Sequence, residues 1–224
     1  DIQSFSCVLE KKLKYGMNPS NKTAYLGHTS NDSRSFSILN GNVGYINILD
    51  AIGSWRLVNE IKQATHYECA ASFKHTIPTG VAINREFKDL TDTYKAARSC
   101  DPLSSFGDFI AISGVVDERL AQYVKTQVTD GIIALDYTDA ALSLLKQKKK
   151  GNYVVLKGTQ IDFTRPDCDV KIMNGVVLTQ DYDNHPIDLS MFSSVNCVSE
   201  NIAITESIQV DLLIATVCLK YAQS

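Results

Sequence analysis

Residues 109–156 read FIAISGVVDERLAQYVKTQVTDGIIALDYTDAALSLLKQKKKGNYVVL, and the order of patterns in this stretch decides the fold. Phe109-Ile110-Ala111-Ile112 is an apolar run of buried-strand length, and Asp117 to Lys125 carries helical spacing behind an acidic cap. Gly131 to Leu135 is a second apolar run. Thr138 then caps a helix predicted to reach Lys150, with Ala141, Leu142 and Leu145 inward and a basic last turn that suits the helix dipole. Tyr153 to Leu156 is a further strand. Strands alternating with helices of this length imply a sheet covered on both faces, a three-layer α/β/α sandwich.

Upstream, Cys69-Ala70-Ala71-Ser72-Phe73 reads as a buried strand that ends at Lys74-His75 and turns at Pro78-Thr79-Gly80. A helix is predicted near Phe87 to Arg98. From Ile48 onward, Leu49, Ile52, Trp55, Val58 and Ile61 recur every three or four positions, giving a helix with Trp55 in the core and Arg56, Asn59, Glu60 and Lys62 facing water. Gly16, Pro19, Gly27, Gly41 and Gly44 mark residues 15–44 as loops with at most short strands. Downstream, residues 157–204 are less regular. The last helix, Thr205 to Ala222, is apolar on most of its surface, which predicts burial, with a dimer partner as the leading cover. The expected division is 1–157 for the sandwich and 158–224 for a connecting segment and this helix.

With 44% hydrophobic and 21% charged residues, 12 Gly and 5 Pro, the 224-residue chain falls outside the disordered, collagenous and coiled-coil classes. A net charge of −3 argues against a general nucleic-acid surface and leaves anion binding to local clusters. No apolar run approaches the roughly 18 residues of a membrane helix, so no membrane partner is expected. Cys7, Cys69, Cys100, Cys168, Cys197 and Cys218 form no Cys-x-x-Cys pair and read as reduced thiols of a cytoplasmic protein. Against that stand two glycosylation triplets, at Asn21 and Asn31. The first residue is Asp1 rather than Met, which reads as an excerpt or a processed product.

His28, His66, His75 and His185 lie far apart and fit no zinc spacing, so no metal is expected. Phosphate-loop, dinucleotide and nucleophile-elbow motifs do not occur either. What remains is Phe73-Lys74-His75 at a strand end, where open α/β sheets bind ligands. A neighbouring cation disfavours protonation of an imidazole and keeps it basic, while the Lys is available to stabilise an oxyanion. An ordinary solvated Lys-His pair is the alternative. Ser104-Ser105-Phe106-Gly107-Asp108 and Thr129-Asp130-Gly131 are polar flanks that a turn plus a cap also explains. Lys14-Tyr15-Gly16 reads as an anion contact or a basic turn, and Lys146-Gln147-Lys148-Lys149-Lys150 as a solvated helix end.

Seven segments occur in an order that resembles a known family: Tyr15-Gly16-Met17-Asn18-Pro19; Leu39-Asn40-Gly41 with Gly44 to Ala51; Ala70 to His75 with Pro78 and Gly80; Ser104 to Phe109; Asp130 to Ala134; Gly151-Asn152-Tyr153; and Lys220 to Ser224. The chain is similar to the formyltransferase part of the bifunctional purine-biosynthesis enzymes, which join 5-aminoimidazole-4-carboxamide ribonucleotide (AICAR) transformylase to inosine monophosphate cyclohydrolase. The resemblance implies a cytidine-deaminase-like α/β/α fold and formyl transfer from 10-formyltetrahydrofolate to the 5-amino group of AICAR, without metal. It implies His75 as proton acceptor and Lys74 as stabiliser of the transition-state charge. Lys14, Tyr15, Gly107 and Asp130 fall where the family contacts the nucleotide. A homodimer with active sites between subunits is also implied.

Several positions depart from the family. Lys14 stands where Arg is usual and cannot reproduce a bidentate guanidinium grip on phosphate. Ser20-Asn21 replaces His-Gln, and Leu135-Asp136 replaces Pro-Gly. The family also continues past Ser224 with a nucleotide-contacting Asn and a second deaminase-like half. Two expectations follow: the first half of a genuine transformylase domain, or a truncated, non-catalytic homologue that acts as a binding or interaction protein.

Overall fold

The computed structural model describes residues 6–29, 35–164, 168–193, 196–199 and 203–222. The triplet at Asn31 and the motif end Gln223-Ser224 lie outside the described residues. In chain order the elements are β1 (Cys7–Lys12), β2 (Tyr25–Thr29), β3 (Phe36–Asn40), α1 (Tyr45–Thr65), β4 (Cys69–Lys74), β5 (Ile77–Ile83), α2 (Leu90–Ser99) and β6 (Asp108–Val116). Then come α3 (Glu118–Thr126), β7 (Thr129–Tyr137), α4 (Asp139–Gln147), β8 (Val154–Gly158), β9 (Cys168–Met173), β10 (Val176–Asp181) and α5 (Glu206–Tyr221).

The central sheet has six strands in the order β3-β8-β7-β6-β4-β5. β6, β7 and β8 run parallel, whereas β4 is antiparallel to both β5 and β6, and β3 is antiparallel to β8. Side chains alternate between its faces with the two-residue period of a strand. Phe73, Phe109, Ala111, Ile133, Val154 and Leu156 join Trp55, Leu57 and Ile61 of α1 and Leu213 and Val217 of α5. Ala70, Ile110, Ile112, Ile132, Ala134 and Val155 join Tyr94, Leu120, Val124 and Leu145 on the other face. The result is an α/β sandwich with α1 and α5 on one side and α2, α3 and α4 on the other.

The expected caps hold: the Asp117 side chain accepts from the Leu120 amide, and the Thr138 hydroxyl accepts from the Ala141 amide. Trp55 is fully buried and donates from Nε1 to the Thr159 carbonyl at 2.8 Å.

Four expectations need correction. Pro78-Thr79-Gly80 is not a turn but part of β5, and the turn falls at His75-Thr76. Pro is tolerated there because β5 is the sheet's edge strand, and Gly80 is required because a Cβ would run into the α2 backbone at Ala97. Glu60 does not face water: it accepts from Lys220 Nζ at 2.6 Å and from the Tyr221 hydroxyl at 2.8 Å, which ties α5 to α1. α5 buries only the stripe Val210, Leu213 and Val217, leaving Ile208, Leu212 and Leu219 exposed. α4 ends at Gln147, and the Lys148–Gly151 segment is a 3-10 turn with Lys149 and Lys150 in left-handed conformations. The stretch 15–44, expected as loops with at most short strands, carries two of five residues each, β2 and β3, in keeping with that reading, and β1 precedes it.

Candidate active site

β4 delivers Lys74, and the two-residue turn to β5 delivers His75 and Thr76. Both turn residues have positive φ, 54° and 69°. That is the backbone pattern of a type I′ hairpin turn, which matches the strand twist but usually calls for Asn and Gly. Next to this turn lie the start of β6, preceded by Gly107, and the start of β7, which carries Asp130. The parallel strands therefore present their amino ends here, and the antiparallel strands β4 and β3 their carboxyl ends. The strand-end rule for parallel sheets does not place this site; the antiparallel insertion of β4 does.

A cleft of about 590 Å³, open to solvent, forms between these ends. It is lined by Tyr15 and Gly16, by the first turns of α1 from Gly44 to Asn47 with Asp50, and by Lys74, His75, Gly107 and Asp130. Five of the six expected site residues thus meet in one cleft. Lys14 does not line it: its ammonium lies 5.7 Å from the centre of the Tyr15 ring. The Tyr15-Gly16 loop is closed from within, since the Gly16 amide donates to the Asn21 carbonyl at 2.9 Å and the Asn18 amide donates to Asn21 Oδ1 at 3.0 Å. Asn21, one of the family departures, therefore builds the loop that shapes the cleft wall.

Gly107 has φ of 80°, a conformation that favours glycine, and its amide donates to the Val128 carbonyl at 2.9 Å. Lys74 Nζ donates to the Phe106 carbonyl at 2.5 Å, so the ammonium is anchored over the Gly107 loop. That loop is fastened from beneath. Asp108, fully buried, accepts from Ser72 Oγ at 2.7 Å, the Tyr94 hydroxyl at 2.8 Å and Arg98 Nη1 at 2.6 Å. Ser105 joins the same network through Ser72 Oγ at 2.9 Å.

Opposite Lys74, the first turn of α1 has no acidic residue, and Gly44 donates its amide to Asn47 Oδ1 at 3.3 Å. The first amides of a helix have no intrahelical acceptor and carry the positive end of its dipole. Beside the Asp50 and Asp130 carboxylates, the cleft thus combines an ammonium and a helix N-terminus with an imidazole, groups suited to holding an anionic substrate while moving a proton.

Two cleft-side contacts have no counterpart in the sequence reading. Lys149 Nζ pairs with Asp130 Oδ1 at 2.8 Å, so the basic run is not only a solvated helix end. Asp50, only 5% exposed, accepts from the Thr76 amide at 2.7 Å. Burial pushes its carboxyl above the usual carboxylate range, while the Thr76 amide and the His75 imidazole pull it back. The sequence signal for Asp50 was its place among inward residues of α1, between Ile48 and Ala51. Among the described residues no group of three or more His, Cys, Asp and Glu is placed to hold a metal ion, and no helix is long and apolar enough to cross a membrane.

Comparison with known proteins supplies the remaining observation. The family described as the AICARFT/IMPCHase bienzyme matches residues 2–224. The chain is 29% identical over 230 residues to the bifunctional purine biosynthesis protein PurH of Petrotoga mobilis, covering 100% of this chain and 42% of that protein. It is 32% identical to PurH of Clostridium kluyveri over 181 residues, 79% of this chain and 34% of the relative. It is also 32% identical to PurH of Bartonella bacilliformis over 194 residues, 83% and 34% respectively. The chain spans well under half the length of these relatives, and with a match over nearly all of its residues it belongs to the AICARFT/IMPCHase bienzyme family.

Proposed function

We propose that this chain forms the first half of a transformylase domain that moves a formyl group from 10-formyltetrahydrofolate to the 5-amino group of AICAR, a step of purine biosynthesis in the cytoplasm. The observation that carries this reading is the convergence of Lys74, His75, Tyr15, Gly107 and Asp130 on one cleft from four separate stretches of sequence. The amine of AICAR is conjugated to its ring and a weak nucleophile, so its attack on the formyl carbon needs a base and an oxyanion stabiliser together. His75 takes the N–H proton as the new C–N bond forms. The Lys74 ammonium, anchored beside Gly107, stabilises the oxygen charge of the tetrahedral intermediate, and the folate nitrogen leaves with a proton. Tyr15 and Asp130 hold the nucleotide. Lys14, exposed at the Tyr15 loop, adds charge at the rim. The folate and nucleotide contacts not made here come from the second half of the domain and from a partner subunit in a homodimer.

The test uses the complete natural polypeptide. His75→Ala is expected to lower turnover about 10²–10⁴-fold, the usual contribution of a general base, with AICAR affinity little changed. Unchanged turnover removes His75 from the mechanism. Residues 1–224 alone are expected to have little or no activity, and ordinary turnover by that piece overturns the half-domain reading. A second reading, a non-catalytic binding module, is favoured by the engagement of Asp130 with Lys149. It is upheld if the complete polypeptide binds AICAR but does not formylate it.

A further inference from the structure

The His75-Thr76 turn is the most demanding piece of backbone at the cleft. A left-handed conformation is uncommon for any residue with a Cβ, and for β-branched Thr76 at φ of 69° it is an outlier. Such strain persists only where the surroundings over-determine it, and it clusters at functional sites. What over-determines it here comes from α1. Asp50 Oδ1 accepts the Thr76 amide at 2.7 Å, and the His75 amide faces the same carboxylate.

The placement of Asp50 is itself unusual. It is buried in the second turn of α1, a helix whose neighbouring Ala51 and Ser54 are packed inward. Among the described residues no Lys or Arg pairs with it. A buried carboxylate without a cationic partner is costly unless hydrogen bonds compensate it, and the bonds available are those from the turn. α1 is 21 residues long and packed against the sheet, so it offers a rigid mount.

We infer that Asp50 is a positioning residue, whose carboxylate clamps the left-handed His75-Thr76 turn and thereby aims the His75 imidazole into the cleft. This inference rests on the role given to His75 above, but its mechanism is conformational and is read separately. The clamp works through acceptance of backbone amides. An uncharged acceptor of the same shape therefore preserves it, and a residue that takes the left-handed conformation without strain makes it dispensable.

The test compares the complete natural polypeptide with Asp50→Asn, Asp50→Ala and the double variant Asp50→Ala/Thr76→Gly. Asp50→Ala is expected to lower kcat about 100-fold, the scale of a reacting group misplaced by an ångström, with KM for AICAR nearly unchanged. Asp50→Asn stays close to wild type, and glycine at position 76 recovers at least about a tenth of the lost rate because it adopts positive φ freely. Wild-type kcat in Asp50→Ala, a loss in Asp50→Asn as large as in Asp50→Ala, or no recovery in the double variant overturns the inference. If Asp50→Ala does not fold, folding of the double variant supports the clamp and its failure to fold overturns it. NMR of the His75 ring provides a readout that needs no turnover: its signals shift in Asp50→Ala and return in Asp50→Asn and the double variant. An unmoved His75 ring in Asp50→Ala overturns the clamp even where the catalytic reading stands. A displaced ring in a protein without formyl transfer upholds the clamp and overturns the catalytic reading alone.

Discussion

At the scale of single residues, the floor of the cleft depends on Asp108. It is fully buried, and its ionised form is tolerable only because Arg98, Tyr94 and Ser72 all donate to it. Arg98 is itself only 12% exposed, so water replaces little of its contribution. Arg98→Met is expected to destabilise the fold by about 3–5 kcal/mol, because removing one partner leaves a buried charge uncompensated. Asp108→Asn in the Arg98→Met background should recover part of that loss, since a neutral amide still pairs with Ser72 and Tyr94. Denaturant midpoints of the two variants and the wild type measure both effects, and equal midpoints for the single and double variants count against the charge as the cause. The same network links folding to chemistry, because Ser72 and Ser105 tie β4 to the loop on which Lys74 rests.

At the scale of elements, α2 lies so close to β5 that only glycine fits at position 80, where a Cβ would also stand 2.8 Å from the Cβ of Cys100. Gly80→Ala is expected to cost about 1–3 kcal/mol through overpacking, with a thermal midpoint lowered accordingly; an unchanged midpoint would mean that α2 moves freely on the sheet. The sequence was readable wherever the cause was local. Asp117 and Thr138 announced their helices by residue type, and the apolar runs of β6, β7 and β8 announced a buried sheet centre. It misled where the cause lay elsewhere in the chain. Pro78 and Gly80 look like a turn by composition, yet edge position and a neighbouring helix account for them. Glu60 looks like a solvent residue by helical spacing, yet its partners are 160 and 161 residues away. The cleft shows the same division. The family resemblance assigned site roles to five of its lining residues, but the clamp on Thr76 joins positions 26 apart and the Lys149–Asp130 pair positions 19 apart. Neither spacing leaves a mark on a pattern read along one element.

At the scale of the whole molecule, α5 packs beside α1 on the same side of the sheet, against β5. Their join is both apolar, through Val210, Leu213 and Val217, and polar, through Glu60, Lys220 and Tyr221. The Lys220–Glu60 pair is about 90% buried on each side, at 11% and 10% exposure. Lys220→Met is expected to destabilise the protein by about 3 kcal/mol, since Glu60 is left buried with only the Tyr221 hydroxyl. Adding Glu60→Gln should return most of that stability. Equilibrium unfolding of the single and double variants decides between a clamp by charge and a contact that contributes only shape.

The distance along the chain between the two halves of this join has a further consequence during synthesis. At about 5–20 residues per second, several seconds separate the emergence of Gly158, the end of the last central strand, from that of α5. Through that interval the sheet and α1 can already assemble, while the apolar surface that α5 will cover stays open to other nascent chains. A ribosome that pauses between these points prolongs the exposure.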